Sequence, residues 1–286
     1  MINPISHIHW KEISVDLESL SGKDAEIDIA PLNSGLEAEV YKISTSESDF
    51  VLKVWNRSSK PNISIQFKLL QDMFKQGMAV SRPIGWGMDE LNNQVLLTSF
   101  DGMPIDKVNK SKLAVFANML TDIHKLQPEL LNTPVPKYDF AGYFFPGIDE
   151  HFDIKEQLSQ LVTNTNIEQN QLIHGDYNLG NILESNGKYT IIDWTNVQLG
   201  DPKYDIAWSI ILMRIYVSER YSSHYRSLFV TMNNYSKDEL EKYEAIACLR
   251  WILLNRTQNL PKGNNTIQTV KSILRENSYL TEKLLC

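Results

Sequence analysis

The chain has 286 residues, 42% of them hydrophobic and 22% charged, an ordinary composition for a folded protein and one that excludes extended disorder. Its 28 Lys and Arg against 35 Asp and Glu leave a net charge of −7 with no basic run to track a phosphate backbone, so nucleic acid is not expected as a partner. Two cysteines, Cys248 and Cys286, lack metal-ligand spacing and exclude a disulfide framework and a zinc site.

The opening stretch, MINPISHIHWKEISVDLES, has neither the basic start nor the continuous apolar core of a signal peptide, which points to a cytoplasmic protein. Short β-branched runs follow: AEVYKIS at 38–44, FVLKVW at 50–55 and QVLLTSF at 94–100. One helical stretch, ISIQFKLLQDMFKQG, interrupts them and stops at Gly77. Together they predict a small antiparallel sheet with one packed helix. Alternation in FVLKVW puts Phe50, Leu52 and Val54 on one face and Val51, Lys53 and Trp55 on the other. Lys53 therefore shares a mostly apolar face and needs an anionic partner.

Beyond residue 102 the period becomes helical. Leu113, Phe116, Ala117, Leu120 and His124 line one helix face, and His124 reads as a core histidine bonded to the polar loop at 174–181. Further helices fit 204–217, 219–232 and 238–256, with another in the tail. The most apolar run, Ile206–Met213 between Asp205 and Arg214, is far too short to cross a bilayer, so no membrane partner is expected. LIHGDYNLGNILESNGKYTIIDW, at 172–194, reads as a polar loop leading into two short strands around an Asn186-Gly187 turn. The length suits two lobes better than one core. The expected fold is α+β, with residues 1–102 forming a sheet lobe and residues 103–286 a larger, mostly helical lobe.

The polar loop carries the chemistry. Asp176 and Asn181 are five apart, and Asp193 lies twelve beyond Asn181. A carboxylate near a substrate, with an amide oxygen and a second carboxylate as hard ligands for Mg²⁺, is the set that phosphoryl transfer needs. The spacing matches the kinase catalytic-loop pattern H-x-D-x-x-x-x-N followed by a metal-binding Asp. The bland alternative is that Asp176 and Asn181 only satisfy turn backbone.

LIHGDYNLGNIL followed by TIIDWTNVQLGDPKYDIAW resembles the aminoglycoside phosphotransferase and choline kinase superfamily, a small-molecule branch of the protein-kinase-like fold. The resemblance spans roughly residues 30–215. It implies a bilobal kinase-like fold in which Asp176 is the catalytic base or hydroxyl-orienting residue, Asn181 and Asp193 hold Mg²⁺, His174 braces the loop and Asp205 supports it. It also implies that Lys53 contacts the phosphates of ATP or GTP. Gly35, 18 residues before Lys53, would lie in the phosphate-covering turn. Adenine would bond the backbone of Thr98 and Phe100 at a hinge, with Leu97 behind the ring. Gly175 after His174, Trp194 and Thr195 after Asp193, and GDP only seven residues beyond Asp193 set the chain apart from protein kinases.

One position departs from the family. Where its members place a Glu that pairs with the strand lysine, this chain has Gln66, on a face shared with Leu70, Met73 and Phe74 and expected to point toward Lys53. A neutral partner is weaker than a carboxylate. Reduced activity, Asp72 as a stand-in, or a nucleotide-binding pseudo-enzyme or regulatory module are the alternatives to an active enzyme.

The acceptor is expected to be a small molecule bearing a hydroxyl: aminoglycoside-like, an amino alcohol or a sugar. Residues 139–156, DFAGYFFPGIDEHFDIKE, combine five carboxylates and one lysine with several aromatic rings, a wall suited to a cationic or sugar-like acceptor. The plain reading is a solvated loop and a core helix. His7, His9, His151 and His224 carry no assigned role.

Overall fold

The structure, a computed structural model, describes residues 5, 7–14, 27–32, 38–56, 59, 61–258 and 260–285. Gly35 and Cys286 lie outside them. In chain order the elements begin with β1 (His9–Ile13), β2 (Asp28–Pro31), β3 (Ala38–Ser44), β4 (Asp49–Trp55), α1 (Ile63–Lys75), β5 (Pro83–Met88), β6 (Gln94–Ser99) and β7 (Met103–Pro104). There follow α2 (Lys110–Lys125), α3 (Phe140–Phe144), α4 (Phe152–Thr165), β8 (Gln171–Ile173), β9 (Ile182–Ser185), β10 (Lys188–Ile191) and β11 (Gln198–Gly200). The chain continues with α5 (Pro202–Tyr216), α6 (Glu219–Asn233), α7 (Lys237–Thr257) and α8 (Thr266–Glu276). This is the expected α+β class, an antiparallel sheet followed by a mostly helical part.

The chain divides into two compact units, the first comprising Met1–Pro104, Leu131–Pro134 and Ile182–Thr195, the second the remainder. The hairpin of β9 and β10, which the sequence reading set with residues 103–286, groups with the sheet. Its reason is pairing: β7 extends β9 through Met103↔Glu184, and Ile191 donates its N–H to the carbonyl of Ala79 at 2.7 Å. Gly102, just before β7, has φ +113°, and a Cβ there would lie 2.2 Å from the carbonyl oxygen of Glu184. Only glycine fits that approach.

In the first unit the sheet runs in the order β1-β5-β6-β4-β3-β2. Residues opposed across an antiparallel pair share a face. The register Tyr41↔Leu52↔Leu97 puts Leu52 and Leu97 together, within a cluster that also buries Ile43, Phe50, Ile84, Val95, Ile5 and Ile8. The register Val40↔Lys53↔Leu96 puts Lys53 on the opposite face, beside Val51 and Thr98 one pair further along. Helix α1 is started by Asn62, whose side-chain oxygen accepts the N–H of Ile65 at 3.1 Å. Ile63, Gln66, Phe67, Leu70 and Met73 are buried on it, but Phe74 is 43% exposed. At 100° per residue Phe74 lies about 80° around the helix from Gln66, enough to leave the face on which it was expected.

In the second unit Leu113, Phe116, Ala117 and Leu120 of α2 are fully buried, as their spacing predicts. Helix α5 packs on α6 and α7, and α2 packs on α6 and β8. The sequence of α5 explains its start: Asp201 caps it by accepting the N–H of Lys203 at 3.0 Å, and Pro202 takes the first position. No described helix is long and apolar enough to cross a membrane. Cys248 is buried, and burial pushes its thiol up to about 12, so it is inert at neutral pH.

Candidate active site

The loop between β8 and β9 is built by backbone constraint first. Strand β8 pairs with β11 through Ile173↔Gln198, which anchors its start. Gly175 then turns with φ +79°, in a position where a Cβ would meet the carbonyl oxygen of Asn196 at 2.7 Å. The buried carboxylate of Asp205, near the start of α5, accepts the N–H of His174 at 2.8 Å and that of Gly175 at 2.9 Å. His124 donates to the same carboxylate through Nε2 at 3.1 Å. Its link to the loop therefore runs through Asp205.

Burial pushes the Asp205 carboxyl up, but the hydrogen bond and charge of His124, with those of His174, outweigh it and hold the group below the usual carboxylate range. It stays ionised as the acceptor the loop requires. His174 is itself fully buried and accepts the N–H of Asp176 at Nδ1, 3.2 Å away. It braces the loop from inside, and Tyr177 does the same by donating its hydroxyl to the carbonyl of Phe116 at 2.9 Å.

The Asp176 carboxylate accepts from Trp208 and from Asn181. The Trp208 indole Nε1 donates to Oδ1 at 2.7 Å, and Asn181 Nδ2 donates to the Asp176 carbonyl at 2.9 Å and to Oδ2 at 3.3 Å. With Nδ2 committed this way, Asn181 keeps Oδ1 as a hard oxygen donor. Behind the loop lies Arg250, 8% exposed, which donates to the Gly175 carbonyl at 2.9 Å and to the Tyr204 hydroxyl at 3.2 Å. Its guanidinium lies 4.2 Å from the ring centre of Trp208 and 4.7 Å from that of Phe144.

In the first unit, Lys53 Nζ lies 3.6 Å from Asp193 Oδ1. These residues are 140 apart in sequence, and the fold supplies the anionic partner that the apolar face of β4 demanded. Asp193 sits at φ +65°, a left-handed conformation that costs a non-glycine residue roughly 1–3 kcal/mol. Thr195 donates to the same oxygen at 3.4 Å, and Trp194 is locked beneath by donating Nε1 to the Ile191 carbonyl at 3.0 Å.

Residues 28–243 match the sequence profile of the phosphotransferase enzyme family. The chain belongs to that family. A thermostable mutant of aminoglycoside phosphotransferase APH(4)-Ia in its apo form superposes with a TM-score of 0.64 at 15% identity, over 88% of this chain and 95% of its own. Choline kinase LicA from Streptococcus pneumoniae gives 0.62 at 12% identity over 87% and 93%, and the Plasmodium vivax ethanolamine kinase 0.59 at 15% over 88% and 82%. At these identities the likeness establishes the shared kinase-like fold. No curated protein sequence matches the chain.

Three readings of this phosphotransferase's sequence need correction. Gln66, expected to point toward Lys53, is 5% exposed, and its Oε1 accepts no hydrogen bond from a described residue, Lys53 included. Asp72 is no stand-in: it accepts from Asn132 Nδ2 at 3.1 Å and the Thr133 N–H at 2.8 Å, tying Leu131–Pro134 to α1. Burial pushes its carboxyl up, yet those bonds hold it low. Leu97 faces the core cluster, and Thr98 shares the face of Lys53. The Phe100 N–H donates to the Asp49 carbonyl at 3.1 Å.

The presumed acceptor wall is mostly scaffold. Phe140, Phe144 and Phe145 are buried, and the rings of Phe140 and Phe144 pack on Tyr204 at 4.8 and 4.7 Å. Asp139 caps α3, Asp149 pairs with Lys155, and Asp153 pairs with Arg256. His7, given no role, meets Glu90 at 2.7 Å on the surface. Two residues that hold the Asp176 loop were not singled out from the sequence, Trp208 and Arg250. Trp208 carried a signal, since it lies three residues after Asp205 on one helix and thus on the same face. Arg250 carried none, and it lies beyond the matched family region.

Proposed function

We propose that this phosphotransferase moves the γ-phosphoryl group of ATP or GTP to a hydroxyl of a small molecule, an amine-bearing alcohol such as an aminoglycoside or amino alcohol, or a sugar. The reading rests above all on the Lys53–Asp193 contact at 3.6 Å, which joins a cation suited to phosphates and a carboxylate suited to metal. Two solved neighbours support the donor class: APH(4)-Ia in a ternary complex with AMP-PNP and hygromycin B, and LicA with AMP. The net charge of −7 suits a cationic acceptor.

Lys53 holds the nucleotide phosphates. Asp193 and Asn181 would hold Mg²⁺, and their chemistry fits: one carboxylate and one amide oxygen, oriented because the Asn181 Nδ2 is already bonded to Asp176. When bound, the ion neutralises phosphate charge. Asp176 orients the acceptor hydroxyl and receives its proton as the new oxygen–phosphorus bond forms and the bond to the nucleoside diphosphate breaks. Thr98, on the face of Lys53, borders the base.

The test is acceptor-dependent release of ADP or GDP across cationic antibiotics, amino alcohols, sugars and nucleosides. One class is expected to stimulate release, and Asp176→Asn to abolish it. Mg²⁺-dependent thermal stabilisation by ATP or GTP with no release from any class would instead favour a nucleotide-binding module, the reading suggested by Gln66. No stabilisation by either nucleotide would reject both.

A further inference from the structure

We propose that Trp208, clamped by Arg250, is a positioning residue for phosphoryl transfer: its indole N–H sets the rotation of the Asp176 carboxylate, and so the direction from which the acceptor hydroxyl is met. This deepens the phosphotransferase reading and rests on it. The torsion that turns an aspartate carboxylate is soft and broadly populated, so the oxygens need an external hold. Two elements supply one. The Trp208 bond to Oδ1, at 2.7 Å, has the short length of a charge-assisted bond, whereas Asn181 meets Oδ2 at 3.3 Å. The indole is the firmer grip.

The indole is in turn fixed. Trp208 is 4% exposed, and the Arg250 guanidinium lies over its ring at 4.2 Å with Phe144 as its other ring contact at 4.7 Å. The same guanidinium donates to the carbonyl of Gly175, the residue before Asp176. One planar cation therefore holds both the backbone that carries the carboxylate and the ring that orients it. A buried cation is costly, and no carboxylate lies within ion-pair distance of Arg250 among the described residues. Its partners are a loop carbonyl, a phenol and two rings. That expense is hard to explain by packing alone, because an apolar side chain would fill the space without it.

A misplacement of about 1 Å at a reacting group can cost 10²-fold in rate, so the contribution should appear in kcat and not in nucleotide binding. The decisive variant replaces Trp208 by β-(3-benzothienyl)alanine, an isostere with sulfur in place of N–H. The probes are MgATP and MgGTP, hydrolysed without acceptor and then with whichever acceptor class the panel identifies. We expect kcat to fall roughly 10- to 100-fold, the loss of one hydrogen bond to a charged group, with nucleotide KM and Tm unchanged.

Arg250→Lys, which keeps the charge and loses the planar stack, should lower kcat in the same direction with nucleotide KM intact. The Trp208 indole proton resonance should move upfield in Asp176→Ala, a readout independent of turnover. An unchanged kcat for the isostere, a loss shared equally by KM and Tm, or an unmoved indole resonance overturns the proposal while leaving the phosphotransferase reading in place. A wild-type protein with no turnover of either nucleotide under any acceptor overturns that reading, and the positioning role with it.

Discussion

The loop around Asp176 and the surroundings of Lys53 solve the same problem, holding a polar side chain in place, in opposite ways. Around Asp176 the loop is secured by carboxylate, imidazole, indole and guanidinium, with the Asp205 carboxylate bonded three times over. Among the described residues Lys53 has one carboxylate partner, at 3.6 Å, with the Trp55 ring 5.9 Å away, and in the same unit a buried amide oxygen on α1 finds no hydrogen-bond partner. The loop is braced by several polar groups, whereas Lys53 is paired with one carboxylate among the described residues. On the proposed mechanism, rigidity is concentrated at the proton acceptor and slack at the phosphate contact.

Changes that break this contrast should differ in size. On the proposed mechanism Asp176→Asn removes the proton acceptor while leaving the scaffold, and kcat should fall roughly 10³-fold or more with nucleotide affinity unchanged by calorimetry. Asp205→Asn strips the charge that three donors converge on and should cost about 3–5 kcal/mol in urea unfolding. Because the folded carboxyl of Asp205 is held below its ordinary value of 3.8, its stabilisation is complete above that pH and is lost as pH falls through the folded value. Stability measured against pH should therefore show an acid limb in wild type that the Asn variant lacks.

Smaller effects fall on the nucleotide side. Lys53→Ala should lower kcat/KM for nucleotide roughly 10- to 100-fold, the scale of one charge-assisted contact, with unfolding little changed. Gln66→Leu should shift stability by less than about 1 kcal/mol, or raise it, since it deletes an acceptor that has no donor. A loss above about 2 kcal/mol in that variant would show that Gln66 has a partner in solution and that the contrast is overdrawn.

What could be read from the sequence followed the reach of each interaction. LIHGDYNLGNIL and IIDW announce their chemistry because the groups lie at fixed short spacings, and the β4 lysine announces its need for an anion through strand alternation alone. The facing of Leu97 could not be read, because whether it or Thr98 lies beside Lys53 depends on register with β4. Phe74 failed through accumulated helical phase. The place of Asp72 could not be read locally because its partners, Asn132 and Thr133, lie 60 and 61 residues away. The aromatic run at 140–145 is the clearest case: its composition suits a binding wall, but the rings pack on Tyr204 and Arg250, a relation no local pattern encodes.

The left-handed backbone of Asp193 has a consequence for how this chain would change under selection. Glycine adopts φ +65° without penalty, so a population screened only for heat resistance should drift toward Gly at this position, gaining roughly 1 kcal/mol and surrendering the partner of Lys53. Persistence of aspartate through such a screen would mean that survival also demanded the carboxylate.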